Sequence, residues 1–384
     1  MNRLIILLTM LLLAGCASTG APLLAAPTAL FHDAGFKAPS EPVSTANLFE
    51  LSPAMRSYAH SPEFANQLRA VGAERGLVAA LYKKGELKLE YDSSMTRNAA
   101  QAFEARAGNC LSLVIMTAAF AKELEMRVEY QEVLLDENWS RSGALYFAST
   151  HVNLSIGRRS LDVNHSGFET SRMLTIDFVP PENLRSLPTR PLEEAEIVAM
   201  YMNNRAAEAL ALDHIDDAYW WARAAVLQYP ASITAFNTLG VIYLRHGDTA
   251  MAEQVYLRAL EREPENTVLM HNLKPVLNLL GKRDEAEALG RRLANIEPYP
   301  PFHFFNLGMK AMEKGDFSGA RSLFAREVKR APYYHEFHFW LAIANLRLGN
   351  QVAAREQLAQ ALDTSTTRDS ARMYSAKLAY LRGL

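Results

Sequence analysis

The sequence predicts an α+β domain followed by an all-α helical solenoid. Between residues 48 and 180, helical patterns give way to segments with apolar residues at every second position, which indicates helices packed against strands. From residue 197 onward, proline, glycine and alanine recur at a fixed interval of 34 residues, which indicates stacked helix pairs. The chain is therefore expected to contain two folded units of different class.

Length and composition limit the kind of partner. A chain of 384 residues is long enough for two or three domains, and 49% hydrophobic with 21% charged residues is ordinary for a globular protein. The formal net charge of −2 gives no basic footprint for nucleic acid. A peptide, a protein or a small molecule is the expected partner.

The first residues predict an export signal. Arg3 precedes the apolar run Leu4–Leu13, which is too short to span a bilayer, so residues 1–15 are expected to be removed. The sequence Leu-Ala-Gly-Cys ending at Cys16 resembles the lipobox of bacterial lipoproteins, which implies lipidation of Cys16. No Asp follows Cys16, which resembles lipoproteins of the outer membrane that face the periplasm. The alternative is a cleaved signal of a soluble periplasmic protein.

The cysteine count then singles out Cys110. The chain has two cysteines, and if Cys16 carries lipid, Cys110 has no intramolecular partner. A lone thiol in an oxidising compartment is liable to oxidation, which favours a functional reason for keeping it. A buried, inert cysteine is the alternative.

Cys110 is expected in the first turn of a buried helix. Residues 16–47 are rich in Ala, Pro, Ser and Gly and predict a lipidated tether, with docking considered at Leu30–Phe36. Within the domain at 48–180, Asn109 is a good helix N-cap, and Leu111–Ala121 contains only two hydroxyl residues. Unpaired backbone N–H groups and the helix dipole favour a thiolate in that first turn.

Three strands are predicted after this helix, and their register would place a base beside an acid. The strands are Val128–Leu135, Ala144–Ile156 and Ser160–Asn164. A two-residue turn at 157 and 158 would pair Asn153 with Asp162 and His151 with Asn164. His151, Asn153, Asp162 and Asn164 would then share one face, with His151 and Asp162 as diagonal neighbours. His165 and Asp177 are the alternative base and acid, the first on the opposite face and the second beyond the hairpin.

These segments resemble the transglutaminase-like superfamily, which shares a papain-like Cys–His–Asp arrangement. The matching stretches are GNCLSLVIMTAAFAKELEM, STHVNLSI and SLDVN. The resemblance implies that Cys110 is the nucleophile, His151 the general base and then acid, and Asp162 the residue that orients the imidazole. The backbone N–H of Cys110 would stabilise an oxyanion, with Gln131 as a second donor and Asn164 in support. The eleven-residue separation of His151 and Asp162 is short for the family.

The 34-residue period identifies the second unit as similar to tetratricopeptide repeats. Five units are expected at 197–366, joined to the first domain by a connector at 181–196 and closed by a capping helix at 367–384. Asp213 replaces the turn glycine of the first unit, and Lys274-Pro275 is expected to interrupt the first helix of the third. The recurring residues are Pro230, Pro264, Pro298 and Pro332, with Gly247, Gly281, Gly315 and Gly349, and with Ala218, Ala252, Ala286, Ala320 and Ala354.

Aromatic and histidine residues cluster in the fourth and fifth units. They favour packing between repeats, with a peptide groove as the alternative reading. His335 and His338 lack a third ligand in the sequence, so no metal and no cofactor are assigned.

The sequence therefore predicts an outer-membrane lipoprotein of the periplasm with a thiol acyl-transfer site. The reaction would be amide or peptide hydrolysis or transglutaminase-type cross-linking, and the repeat arm would recruit a peptide or protein. The alternative is a non-catalytic scaffold or assembly lipoprotein in which both domains bind partners.

Overall fold

A computed structural model describes residues 27–82, 90–92, 95–134, 139–142, 145–148, 151–157, 173–178, 188–365 and 367–382. The predicted export signal, Cys16, Asp162 and Asn164 lie outside the described residues. Within the described residues, no helix is both long and apolar enough to cross a membrane.

The described part of the first domain contributes five α-helices. Ser52 and Ser61 cap the first two helices through their side chains, and Pro53 and Pro62 stand in the first turn. Proline fits there because its φ is already helical and its missing N–H has no partner to lose. The helices are α1 (Pro53–Ala59), α2 (Pro62–Val71), α3 (Ala73–Tyr82), α4 (Ala99–Ala105) and α5 (Cys110–Glu123).

Helix α5 is the centre of this domain. All residues from Leu111 to Ala121 are buried, as the apolar sequence predicts. Phe120 is fully buried and its ring contacts those of Phe64 and Phe103 from neighbouring helices. A helix enclosed on every side cannot shift easily, so it holds the residue at its first turn in a fixed place.

The strands form one antiparallel sheet of four and two separate pairs. The strands are β1 (Glu90–Tyr91), β2 (Ala107–Gly108), β3 (Arg127–Val133), β4 (Trp139–Ser142), β5 (Leu145–Ala148), β6 (His151–Gly157), β7 (Leu174–Ile176) and β8 (Thr189–Leu192). The sheet has the order β7-β6-β3-β8, while β1 and β2 pair in parallel and β4 and β5 form a hairpin. Val152, Leu154 and Ile156 belong to the same apolar core as α5.

The predicted hairpin after β6 is wrong. Ile156 lies opposite Leu174 of β7, where the prediction had Arg159, and β3 occupies the other edge of β6. The predicted turn required positive φ at Gly157, but Gly157 continues β6 opposite Arg127 and has no such φ. This glycine instead makes room for Met173, whose sulfur would clash with a Cβ.

One other strand prediction is corrected, and the predicted connector contains a strand. The segment expected as one strand, Ala144–Ile156, provides β5 and β6, which belong to different sheets. The connector predicted at 181–196 contains β8, which closes the edge of the sheet against β3. Arg190 of β8 donates to carboxylates of Glu132 and Glu196, so this edge is also held by ion pairs.

The second unit is a solenoid of helix pairs. Gly247, Gly281, Gly315 and Gly349 all have positive φ between the two helices of a pair, as the repeat predicts, and Asp213 adopts positive φ in the first pair. The pairs are α6 (Glu194–Ala211) with α7 (Ile215–Gln228), α8 (Ile233–His246) with α9 (Thr249–Leu260), α10 (Thr267–Leu279) with α11 (Arg283–Ile296), α12 (His303–Glu313) with α13 (Phe317–Arg330), and α14 (His335–Arg347) with α15 (Gln351–Asp363); α16 (Arg368–Arg382) packs against α15.

Helix α10 runs through Pro275, so the expected interruption at Lys274-Pro275 is wrong. Proline removes one backbone hydrogen bond from a helix interior. The helix is retained because Leu273, Val276 and Leu277 are buried around that point. Tertiary packing outweighs the local preference of proline here.

The predicted tether is partly a docked segment. Residues 28–40, hereafter the strap, lie along the first two helix pairs. Phe36 of the strap is buried with its ring stacked 3.8 Å from that of Tyr219, and Asp33 accepts from Tyr219 and Arg223. Leu30 and Phe36 both belong to the repeat core, so the docking considered at Leu30–Phe36 is observed.

Candidate thiol site

The N-terminus of α5 is fixed by side-chain hydrogen bonds. Asn109 caps the helix, its Oδ1 accepting from the backbone N–H of Ser112 at 2.9 Å and from the Ser112 hydroxyl at 2.8 Å. Cys110 follows in the first turn, half-buried, and is the free cysteine of the described residues. Its position is the one predicted, among the unpaired N–H groups of a helix N-terminus.

A second layer of contacts supports this cap. Asn109 Nδ2 donates to Thr96 Oγ1 at 2.7 Å, and the backbone N–H of Arg97 donates to the Ser112 hydroxyl at 2.8 Å. Arg97 also pairs with the buried carboxylate of Asp92 at 3.1 Å. The segment before α4 therefore supports the first turn of α5, where Cys110 lies.

The first repeat helix, α6, also contacts the segment before α4. Asn204 Nδ2 of α6 donates to Thr96 Oγ1 at 3.2 Å, and Glu208 Oε1 accepts from the backbone N–H of Thr96 at 2.6 Å. Burial raises the pKa of Glu208, while its contacts with Thr96 and Arg205 oppose that shift. Thr96 thus connects the repeat arm to the cap of Cys110. Thr96, Asn204 and Glu208 were not predicted, because they are distant in sequence and match no motif.

His151 stands at the start of β6 and contacts Asp177. Its Nε2 lies 2.8 Å from Asp177 Oδ1, and only 5% of its side chain is exposed. A hydrogen bond with Cys110 is also among the interactions that act on the imidazole. Because Nε2 faces the carboxylate, Nδ1 is the ring nitrogen left for an interaction with the thiol. The imidazole therefore interacts with both the Cys110 thiol and the Asp177 carboxylate.

The charge state of His151 is set by these two partners. Burial by itself would lower the pKa of His151. The hydrogen bonds to Asp177 and Cys110, with the charges of both groups, outweigh it and raise the pKa to about 9. The imidazole is therefore protonated near neutral pH.

The carboxylate beside His151 is Asp177, which the sequence offered as the alternative to Asp162. Asp162 and Asn164 lie outside the described residues, so their predicted roles stay predictions. Since Ser155 lies opposite Thr175, Asp177 comes opposite Asn153 and diagonal to His151. This is the geometry expected of Asp162, with a different strand supplying the acid. The separation along the chain is 26 residues and no longer short.

Two further polar residues, Gln131 and Asn153, lie near His151 and Asp177. Gln131, predicted as an oxyanion donor, lies opposite Asn153 on β3 and donates from Nε2 to the Ser155 hydroxyl at 3.4 Å. Asn153 Nδ2 lies 3.5 Å from Asp177 Oδ2, and its buried Oδ1 has no partner among the described residues. The backbone N–H of Cys110, predicted as an oxyanion donor, belongs to the first residue of α5.

The aromatic cluster of the fourth and fifth pairs is interior packing. Phe302, Phe305 and Phe337 are buried in one core, with ring centroids 5.4 Å apart for Phe305 and Phe337. His338 is bonded to the Pro332 carbonyl and to Gln357. Among the described residues, no group of three or more His, Cys, Asp or Glu side chains could hold a metal ion.

Comparison with known proteins identifies the class of the C-terminal region. The tetratricopeptide repeat family matches residues 305–381, so the C-terminal region consists of tetratricopeptide repeats, a class that mediates protein–protein interaction. A search of curated proteins gave no match.

Several solved structures are similar to the chain. YrrB, described as "a TPR protein with an unusual peptide-binding site", is 21% identical, with 47% of this chain and 92% of that chain covered and a TM-score of 0.26. MamA is 12% identical over 44% of this chain and 91% of that chain, with a TM-score of 0.26. PilF of Pseudomonas aeruginosa is 17% identical over 49% of this chain and 94% of that chain, with a TM-score of 0.28.

Proposed function

We propose that the chain is a protein-interaction protein whose repeat arm recruits a peptide or protein. The repeats support this directly, because a solenoid of helix pairs offers an extended surface. Binding of a peptide array to the full chain tests it. Peptides that bind the full chain and lose binding on repeat-surface substitutions are expected; an array without binders would contradict the proposal.

We further propose that the first domain performs acyl transfer on the recruited amide. The observation that carries this is that His151 interacts with both Cys110 and Asp177. The Cys110 thiolate attacks the amide carbonyl carbon, and the carbonyl electron pair moves to oxygen, where the backbone N–H of Cys110 stabilises it. The His151 imidazolium then gives its proton to the leaving amine, and the C–N bond breaks to leave a thioester.

The second half of the reaction returns the site to its starting state. Neutral His151 takes a proton from water or from a second amine, which attacks the thioester and releases Cys110 as thiolate. Water gives hydrolysis, and an amine gives cross-linking. Asp177 keeps the imidazole oriented and stabilises its charge throughout. The resemblance to the transglutaminase-like superfamily supports the same assignment, with Asp177 in the place that the sequence gave to Asp162.

The competing proposal is a scaffold in which the first domain binds without reacting. The interaction class of the repeats supports it, since it requires no chemistry. An acyl-enzyme trapped on Cys110 with an electrophilic amide probe, and absent from Cys110→Ala and His151→Ala, is the expected result for the enzyme. A thiol that the probe labels no faster in the native chain than in His151→Ala would favour the scaffold.

We propose in addition that the chain is a periplasm-facing lipoprotein of the outer membrane. The lipobox-like residues that end at Cys16 support this. The expected observation is a mature N-terminus at Cys16 that carries lipid in mass spectra and is absent from Cys16→Ala. An unmodified N-terminus further along the chain would contradict lipidation.

A further inference from the structure

Helix α8 is enclosed on every side. Nine consecutive residues, from Ala235 to Tyr243, are buried. In a solenoid, the first helix of each pair packs against its neighbours and turns its remaining face to the surface that binds partners. In this chain β5 lies against both α8 and α10, the first helices of the second and third pairs. The first domain therefore covers the binding face there.

The repeat itself provides an internal comparison. Thr238, Asn272 and Asn306 stand at the same position of successive pairs, 34 residues apart. Thr238 is 2% exposed and Asn272 0% exposed, whereas Asn306 is exposed. The first domain thus covers this face of the second and third helix pairs but not that of the fourth.

The covered face presents side-chain amides. Asn272 Nδ2 donates to Asn237 Oδ1 at 2.8 Å, and both side chains are buried. Asn203 holds the position of Asn237 in the first pair, and its buried Oδ1 has no partner among the described residues. Side-chain amides both donate and accept, so they can bind the main chain of an extended segment.

We propose that this face, formed by α8 and α10, is the peptide groove of the arm and that the β4–β5 hairpin is its resident ligand. The inference rests on the interaction function proposed above and specifies its site. The occupant it calls for is an extended peptide segment of a partner with aliphatic and aromatic residues, like Leu145, Tyr146 and Phe147 of β5. Such a segment displaces the hairpin and takes its place on the helices.

Displacement of the hairpin would change the thiol site. Only residues 149 and 150 separate the end of β5 at Ala148 from His151. A partner that removes β5 from the groove therefore alters the segment that leads directly into the catalytic strand. Recruitment and access to Cys110 are coupled through this short connection.

The test uses a labelled synthetic peptide with the sequence of residues 143–149, GALYFAS, and fluorescence anisotropy on the full chain. A hairpin variant carries Leu145→Ser, Tyr146→Ser and Phe147→Ser. It is expected to bind the peptide at least about tenfold more tightly than the native chain, because a tethered ligand competes at an effective concentration near the millimolar range.

Matched substitutions locate the site. In the hairpin variant, Asn272→Lys is expected to weaken binding at least about tenfold, because it places an unpaired charge on the covered face. Asn306→Lys changes the equivalent position of the fourth pair and is expected to leave binding unchanged. Circular dichroism melts check that each variant folds. On the native chain, excess peptide is expected to increase amide hydrogen exchange within residues 139–148.

The outcomes separate this inference from the broader function. Equal peptide affinity for the native chain and the hairpin variant, or no measurable binding, would overturn the inference. Array peptides whose binding survives Asn272→Lys and is lost in Asn306→Lys would also overturn it, while the interaction function would stand. Failure of every array peptide to bind would contradict both the groove inference and the proposed interaction function.

Discussion

His151 Nε2 lies 2.8 Å from Asp177 Oδ1, although 26 residues separate them along the chain. The contact orients the imidazole and, together with Cys110, raises its pKa to about 9. The contact can be tested directly, because substitution of Asp177 can be compared with the same substitution of Asp162, the acid predicted from the sequence.

We expect Asp177→Asn to slow alkylation of Cys110 by about tenfold or more near neutral pH. Loss of the carboxylate removes a hydrogen bond and a charge that favour the imidazolium, while burial continues to lower the pKa of His151. A fall of that pKa from about 9 to the ordinary histidine value of about 6.5 lowers the protonated fraction at pH 7.5 about tenfold. Asp162→Asn is the control and should leave the rate unchanged. Iodoacetamide labelling followed by mass spectrometry measures both. A slow rate in Asp162→Asn with a normal rate in Asp177→Asn would restore the assignment made from the sequence.

The raised pKa of His151 predicts a pH-dependent stability. The ordinary pKa of histidine is about 6.5, and the folded value is about 9. The stabilisation is therefore complete below pH 6.5 and is lost as pH rises through 9, by roughly 3 kcal/mol in all. Urea unfolding of the native chain and of His151→Gln at several pH values measures it. The difference between the two should shrink from pH 6 to pH 10, and a constant difference would contradict the assignment.

We expect Asn109→Ala to lower the free energy of unfolding by about 1–3 kcal/mol and to change Cys110 reactivity. The substitution removes a helix cap and deprives Thr96 and Ser112 of one hydrogen-bond partner each. Asn98→Ala is the matched control, since Asn98 caps α4 in the same way through a hydrogen bond that is exposed to solvent. It should cost about 1 kcal/mol without altering the rate of alkylation. Denaturant melts and thiol labelling separate the two effects.

The strap is expected to detach when its aromatic anchor is removed. Phe36→Ala deletes a buried ring stacked on Tyr219, which should cost about 2–4 kcal/mol of local stability. Limited proteolysis should then cleave within residues 28–40 well before the repeats. Lys37→Ala, which changes an exposed neighbour, should keep the native cleavage pattern. Equal protection of both variants would show that Phe36 does not anchor the strap.

Two helical glycines are expected to respond in opposite directions to alanine. A Cβ on Gly240 would lie 2.6 Å from the buried ring of Tyr256, so Gly240→Ala should destabilise the arm by about 1–3 kcal/mol. A Cβ on Gly290 would meet the end of the flexible Lys274 side chain at 3.1 Å. Gly290→Ala should therefore gain up to about 1 kcal/mol of helix propensity. Thermal melts of the two variants, compared with the native chain, give both values.

The repeats could be predicted because their information is local and recurs. Proline, glycine and alanine at a 34-residue interval reflect turns and close helix contacts that each pair forms with its neighbours. The start of α5 is also local, since Asn109 and the apolar run after Cys110 are enough to specify a capped and buried helix. Pro275 shows the limit of that reasoning, because packing of the helix around it outweighs its preference to break a helix.

The helix that begins at Cys110 and the strand of His151 could be predicted from the sequence, whereas the tertiary structure decided which described carboxylate lies beside His151. The alternation of residues on β6 fixed the face of His151, and any acid in the right register on a neighbouring strand could serve it. Asp177 lies there because Gly157 continues the strand and β7, from beyond residue 172, takes the place expected for residues 159–161. Strand pairing depends on contacts distant in the chain, and no local pattern records them.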